Sequence, residues 1–169
     1  MQALLDLPST LRVSLVVSSK ASAAGLWRAR RAGLQTLILD SKINYEKLNE
    51  ELKMRKIEKL ILAGFMKIIP SSFIAQWKNR IVNIHPSLLP LYPGLSAFDK
   101  SFEEKNDMGV TLHQVTAELD GGPILRQYRF LEKSENTYEL QNNFSKSMAQ
   151  IQLSFAEQRL IREVQYLWK

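Results

Sequence analysis

The sequence contains no cysteine and only two histidines, and both shortages narrow the chemistry that is open to it. Without cysteine there is no disulfide framework and no thiolate metal site. This absence fits a reducing compartment. Two histidines also leave few of the ligands that zinc-type centres use. We therefore expect no metal site.

Long apolar runs are also lacking. No stretch approaches the roughly 18 apolar residues of a membrane span. The first residues, MQALLDLP, lack the basic and long apolar regions of a signal peptide. We expect no membrane partner and a cytoplasmic location.

The charge balance is basic, with a net charge of +6 from 23 basic and 17 acidic residues. Such an excess can attract anionic ligands, such as a sugar phosphate or a polyglutamyl tail, or it can be a solvated surface. Nucleic acid is a third option, but the one cluster, RARR at 28–31, lacks interleaved aromatic residues. We expect no nucleic-acid partner.

A length of 169 residues predicts one domain, 1–169, with a substantial core. Apolar, β-branched runs alternate with segments of helical periodicity. The predicted strands are 12–18, 34–39, 59–63, 81–84, 110–115 and 124–130, and the predicted helices are 21–31, 45–56, 71–78, 98–105 and 137 to the end. This alternation predicts an α/β fold with a doubly wound, mostly parallel sheet. Such sheets bind ligands beyond the carboxyl ends of their strands, where His85 is expected.

Three finer predictions follow from local patterns. Ser71, after Pro70, is a candidate N-cap. Three prolines and a glycine predict a fixed loop over 86–97. Large apolar residues recur at helical spacing in the last segment and are expected to pack on the sheet: Leu140, Phe144, Met148, Ile151 and Phe155.

The stretch NIHPSLLP at 83–90, followed by Asp120, contains a possible set for proton transfer. Asn83 can donate to a developing oxyanion, and His85 can carry a proton near neutral pH. Asp120 can orient that imidazole or assist proton transfer. Each also has a structural explanation. His85 can be a histidine with satisfied hydrogen bonds at a strand end, Asn83 can bond a turn backbone, and Asp120 can be an ordinary turn aspartate before Gly121. His113 is expected to be a core or supporting histidine.

Three stretches resemble the glycinamide ribonucleotide transformylase family, the folate-dependent formyltransferases of purine synthesis. They read LAGFMKII at 62–69, NIHPSLLPLYPGL at 83–95 and GVTLHQVTAELDGGPIL at 109–125. The resemblance implies a Rossmann-like formyltransferase fold. It also implies transfer of a formyl group from 10-formyltetrahydrofolate to the amine of glycinamide ribonucleotide. Both partners are small molecules, and a monomer or homodimer is expected.

The resemblance also assigns roles to residues. Asn83, His85 and Asp120 match the catalytic positions, while Gly64 and Pro86 match positions close to the amine substrate. The positions matching folate-binding residues are Met66, Lys67, Ile69, Ala117, Glu118, Leu119 and Gly121.

Two family features have no counterpart in the sequence. The first strand and the glycine-rich phosphate loop are expected to be missing, which makes the formyltransferase domain N-terminally incomplete. In the last helix, SKSMAQ at 145–150 offers no carboxylate for the amine. The alternatives are another folate-dependent formyltransferase, a formyltetrahydrofolate deformylase, or a catalytically silent folate-binding remnant.

Overall fold

The computed structural model describes residues 12–104, 106–131 and 146–167. The strands are β1 Leu15–Ser18, β2 Gln35–Ile38, β3 Leu60–Ala63, β4 Ile81–His85, β5 Met108–Gln114 and β6 Ile124–Leu131. The helices are α1 Ala24–Arg31, α2 Tyr45–Met54, α3 Ser71–Gln76, α4 Ala97–Glu103 and α5 Lys146–Leu167. The predicted strands and helices are confirmed, with ends that differ by a few residues. Positions 137–145 of the last predicted helix lie outside the described residues.

The chain forms two compact units, Met1–Glu58 with Ile161–Lys169, and Lys59–Leu160. In the first unit, β1 and β2 pair in parallel, with Leu15 opposite Gln35. The helix α1 packs on them through a small apolar cluster. That cluster consists of Val16, Leu26 and Ala29, with Val13, Ala23 and Leu34 packed around it.

The second unit contains a four-stranded sheet in the order β3-β4-β5-β6. The strands β3 and β4 are parallel, and Ala63 lies beside Ile84. Their carboxyl ends therefore meet at one edge of the sheet. The strands β5 and β6 continue the sheet in antiparallel fashion.

The α/β fold class is confirmed. Both units contain a parallel strand pair joined through a helix, and within the described residues the strands form two sheets. The single-domain assignment remains a prediction. Residues 1–11, where the incomplete N-terminus is expected, lie outside the described residues.

Two local predictions are wrong. The N-cap of α3 is Pro70, and Ser71 is its first helical residue without a side-chain cap. On α5, the side chains of Met148, Ile151 and Phe155 are 50%, 54% and 62% exposed. The buried face instead consists of Ala149, Ala156, Leu160, Ile161 and Val164. Both sets of residues recur at helical spacing. The buried set contains two alanines, whose small side chains let the helix backbone pack closely against its neighbours. Leu140 and Phe144 lie outside the described residues.

The described helices include none that is both long enough and apolar enough to cross a membrane.

Candidate active site

The strand β4 presents two of the predicted catalytic side chains at its carboxyl end. Asn83 and His85 are two residues apart, so their side chains leave the same face of the strand. In the antiparallel pairing with β5, Asn83 lies opposite His113 and His85 opposite Thr111. This register places the two histidines of the chain side by side, with ring centres 6.4 Å apart.

His113 holds the amide of Asn83. Its Nδ1–H donates to the carbonyl oxygen of Gln114 at 2.9 Å. Burial lowers the pKa of His113, which is 2% exposed, and this favours the neutral ring. A neutral ring protonated on Nδ1 has its lone pair on Nε2. The amide nitrogen of Asn83 lies 3.1 Å from that atom and donates to it.

Asp120 lies between the two histidines. Its Oδ2 lies 3.4 Å from Nδ1 of His85, and its Oδ1 lies 3.5 Å from Nε2 of His113. The Oδ2 atom also accepts a hydrogen bond from the backbone N–H of Gly94 at 2.8 Å. The carboxylate is therefore fixed in orientation before any ligand binds.

The ring of His85 is oriented from its other side. Its Nε2–H donates to the carbonyl oxygen of Tyr92 at 2.8 Å, and a carbonyl can only accept. The second ring nitrogen, Nδ1, consequently faces Asp120. Any proton that His85 takes up or releases lies at Nδ1, next to the carboxylate.

The loop between β5 and β6 needs a glycine to bring Asp120 to this position. Gly122 is buried, and a β-carbon there would collide with the carbonyl oxygen of Gln114. That carbonyl is the one that fixes the tautomer of His113. Asp120 itself is left-handed, with φ of 50°, a conformation that aspartate tolerates better than most residues.

The loop after His85 is pinned by a buried hydroxyl. Thr111, which is fully buried, donates to the carbonyl of Ser87 at 2.7 Å. It also accepts from the backbone N–H of Leu89 at 3.0 Å and from the amide of Gln127 at 2.9 Å. These bonds tie the predicted fixed loop to the sheet.

The predicted substrate positions lie at the same edge of the sheet as His85. Gly64 follows the last residue of β3, which pairs in register near the end of β4, and has φ of 69°. Pro86 follows His85 directly. Their contact with the amine substrate remains a prediction.

The predicted folate residues come from two loops. Met66 and Lys67 are exposed after β3, and Ile69 is partly buried before α3. Ala117, Glu118 and Leu119 are exposed after β5, and the side chain of Leu119 lies beside Gly94. The backbone N–H of Gly121 donates to the carbonyl oxygen of Glu118 at an N···O distance of 3.4 Å, which closes the turn. Their role in folate binding remains a prediction.

A recess of about 270 Å³ borders the second of these loops. It lies at the amino-terminal end of β4, roughly 13 Å along the strand from His85. Its lining includes residues that sequence reasoning did not assign: Ser71, Ile74, Ala75, Lys78, Asn79, Gln114, Val115 and Thr116. No local motif joins them, because a helix end and a distant loop meet only in the folded chain.

A carboxylate on α5 was also missed. Burial raises the pKa of Glu157, and a perturbed carboxyl is a candidate for a functional role. The segment 145–150, where the family resemblance implies such a group, contains no carboxylate. Glu157 is partly buried and directly follows buried Ala156 on α5.

The part of the chain that the structure describes contains no evident set of metal ligands. No group of three or more histidine, aspartate or glutamate side chains is arranged there to hold an ion.

These observations define a class of protein. An amide, an imidazole and a carboxylate meet at the carboxyl end of an α/β sheet, and such groups can stabilise an oxyanion and transfer a proton. The formyl transferase family matches residues 3–153, and the chain belongs to that family.

Individual relatives are similar over most of the chain. The phosphoribosylglycinamide formyltransferase of Escherichia coli K12 is 41% identical over 138 residues, which are 75% of this chain and 65% of that protein. The human trifunctional purine biosynthetic protein adenosine-3 is 34% identical over 138 residues, 75% of this chain and 14% of that protein. The crystal structure of glycinamide ribonucleotide transformylase 1 from Symbiobacterium toebii has a TM-score of 0.83 at 34% identity. It covers 99% of this chain and 80% of its own.

Proposed function

We propose that the chain transfers a formyl group from 10-formyltetrahydrofolate to the primary amine of glycinamide ribonucleotide. The observation that carries the proposal is the cluster of Asn83, His85 and Asp120, with Asp120 within 3.4 Å of His85. The E. coli relative, 41% identical, bears the name of that activity. The chain spans 65% of that relative's length, so the activity of the whole protein is proposed here.

The proposed reaction begins when the amine nitrogen attacks the formyl carbon. The carbonyl oxygen then becomes an oxyanion in a tetrahedral intermediate. Asn83 donates one amide N–H to His113, which leaves the second N–H of the same group for that oxygen. Because His113 fixes the amide, Asn83 needs no reorganisation as the charge develops.

The intermediate collapses when the bond from the formyl carbon to the folate nitrogen breaks. A proton must leave the attacking nitrogen and reach the departing one. The Nδ1 atom of His85 is the site that gains and loses a proton, and Asp120 stabilises the charged ring. Side chains and water suffice for this proton transfer, so the proposal involves no metal.

Folate binding is proposed for the two loops that the sequence indicated. Exposed apolar side chains on both loops favour an aromatic ligand: Met66, Ile68 and Leu119 are each at least 66% exposed. The recess beside Ala117 is slightly smaller than most ligand pockets, which are about 300–1,000 Å³. It also lies roughly 13 Å along β4 from His85, so the two exposed loops and not this recess carry the folate proposal.

The test is an assay of the purified chain with 10-formyltetrahydrofolate and glycinamide ribonucleotide. Release of tetrahydrofolate should depend on the ribonucleotide and should be lost in His85→Ala. Water alone and a second amine are parallel acceptors. Titration calorimetry with a folate analogue measures binding separately.

Each result has a clear meaning. Formyl loss without any amine would indicate a deformylase, and turnover of the second amine alone would indicate a different transferase. Folate binding with no turnover on any acceptor would indicate a silent folate-binding protein. Any of the three would overturn the proposed function.

A further inference from the structure

Two backbone groups of one short loop hold both members of the His85–Asp120 pair. The carbonyl of Tyr92 accepts the Nε2–H of His85 at 2.8 Å. The N–H of Gly94, two residues later, donates to Asp120 at 2.8 Å. A shift of this loop would therefore move the imidazole and the carboxylate together.

The backbone of this loop adopts conformations that most residues avoid. Tyr92 has φ of 55° and Ser96 has φ of 60°, and both lie in the left-handed region. A tyrosine rarely adopts such a conformation unless surrounding contacts hold it there. The contacts of the Tyr92 side chain are thus the place to look for what holds the loop.

The phenol of Tyr92 makes two hydrogen bonds at the end of α4. Its O–H donates to a carboxylate oxygen of Glu104 at 2.7 Å. Its oxygen accepts from the side-chain amide of Asn106. Asn106 is itself anchored, because its backbone N–H bonds to the carbonyl of Ser101 at 3.1 Å. The phenol therefore links the strained loop to a helix end.

We propose that Tyr92 is a positioning residue for formyl transfer. Its phenol keeps the carbonyl of residue 92 on Nε2 of His85, which confines the neutral imidazole to the tautomer protonated on Nε2. The Nδ1 atom then always faces Asp120. This inference rests on the proposed function for its kinetic consequence, but the tautomer can be measured without any substrate.

The first test is Tyr92→Phe, which keeps the ring and removes only the hydroxyl. We expect kcat to fall roughly 10-fold, as for a modest misplacement of reacting groups, while KM for the folate changes little. The ¹⁵N spectrum of the imidazoles should show a mixture of neutral tautomers at His85. With only two histidines in the chain, His113→Asn assigns the signals.

Two variants of Glu104 test the same hydrogen bond without changing Tyr92, so the proposal can be tested even if Tyr92→Phe folds poorly. Glu104→Ala removes one partner of the phenol at an exposed position. Glu104→Gln keeps an acceptor oxygen and should restore both kcat and the single tautomer. Tyr128→Phe is the matched control, because it removes the hydroxyl of a different tyrosine. The ring of residue 128 still lies under the guanidinium of Arg159, and we expect wild-type kcat and a single tautomer.

A single Nε2–H tautomer in both Tyr92→Phe and Glu104→Ala would overturn the proposal, even if activity fell. So would equal behaviour of Glu104→Ala and Glu104→Gln. If the wild-type chain fails to formylate the ribonucleotide, the proposed function fails. The tautomer measurement would still decide whether Tyr92 positions His85.

Discussion

Replacing Thr111 by valine should destabilise the second unit more than any comparable change of one atom on its surface. Valine has nearly the same shape, so packing is preserved. The hydroxyl is lost, however, and with it the donor to Ser87 and the acceptor for Leu89. Gln127 keeps its bond to the carbonyl of Leu89 at 2.8 Å.

The magnitude follows from the two backbone groups left without these partners. Ser87, Leu89 and Thr111 are all buried. A buried polar group that loses its partner costs about 1–3 kcal/mol. The free energy of unfolding should fall by about 2–6 kcal/mol, a large share of the 5–15 kcal/mol that is typical of native proteins.

Urea unfolding monitored by tryptophan fluorescence measures the change, since Trp77 is buried in this unit. Thr111→Ser is the control, because it keeps the hydroxyl and removes one methyl group, at a cost of about 1 kcal/mol. If Thr111→Val is no less stable than Thr111→Ser, the hydroxyl does not hold the loop and the reasoning is refuted.

Three further predictions concern the site. Asn83→Ala should lower kcat by roughly 10²–10³-fold if its amide stabilises the oxyanion, and Asp120→Asn by roughly 10²-fold; steady-state assays would contradict these roles if either variant kept wild-type kcat. Burial lowers the pKa of His113 below its ordinary value of 6.5, so the unfolded chain takes up a proton first as the pH falls. Stability should therefore decline below about pH 6.5, and urea titrations should show a weaker decline in His113→Asn, whereas an unchanged slope would argue against a neutral buried ring. Gly122→Ala should reduce both stability and kcat because its methyl meets backbone. Gly121→Ala, whose methyl meets only the movable side chain of Glu118, is the control for stability, and an equal loss of stability in both variants would contradict the collision argument.

Periodicity and turn residues were sufficient to predict the described elements, because each depends on local patterns. The errors arose where two local patterns compete. Pro70, whose ring fixes φ, is the N-cap residue of α3, and Ser71 is therefore the first residue inside the helix. On α5 the large side chains of one stripe suggested burial, yet the alanine-containing stripe is buried.

In the candidate site, too, the sequence predicted the residues but not the contacts that depend on the folded chain. The motif indicated Asn83, His85 and Asp120. In the structure Asn83 bonds to His113, and Asp120 lies between the rings of His85 and His113. The sequence could not show that His113 fixes Asn83, because that contact depends on the antiparallel register of β4 and β5. Nor could it show the tautomer of His85, which depends on the backbone carbonyl of Tyr92.

The loop from Ala117 to Gly122 separates two kinds of position that a protein engineer would treat differently. Ala117, Glu118 and Leu119 are exposed, so randomising them would alter the surface offered to a ligand at little risk to the fold. Asp120 accepts a hydrogen bond from the backbone of Gly94, and Gly122 lies against the backbone of Gln114, so a library should leave both unchanged. Selection for altered ligand binding would thus concentrate its diversity in three consecutive codons.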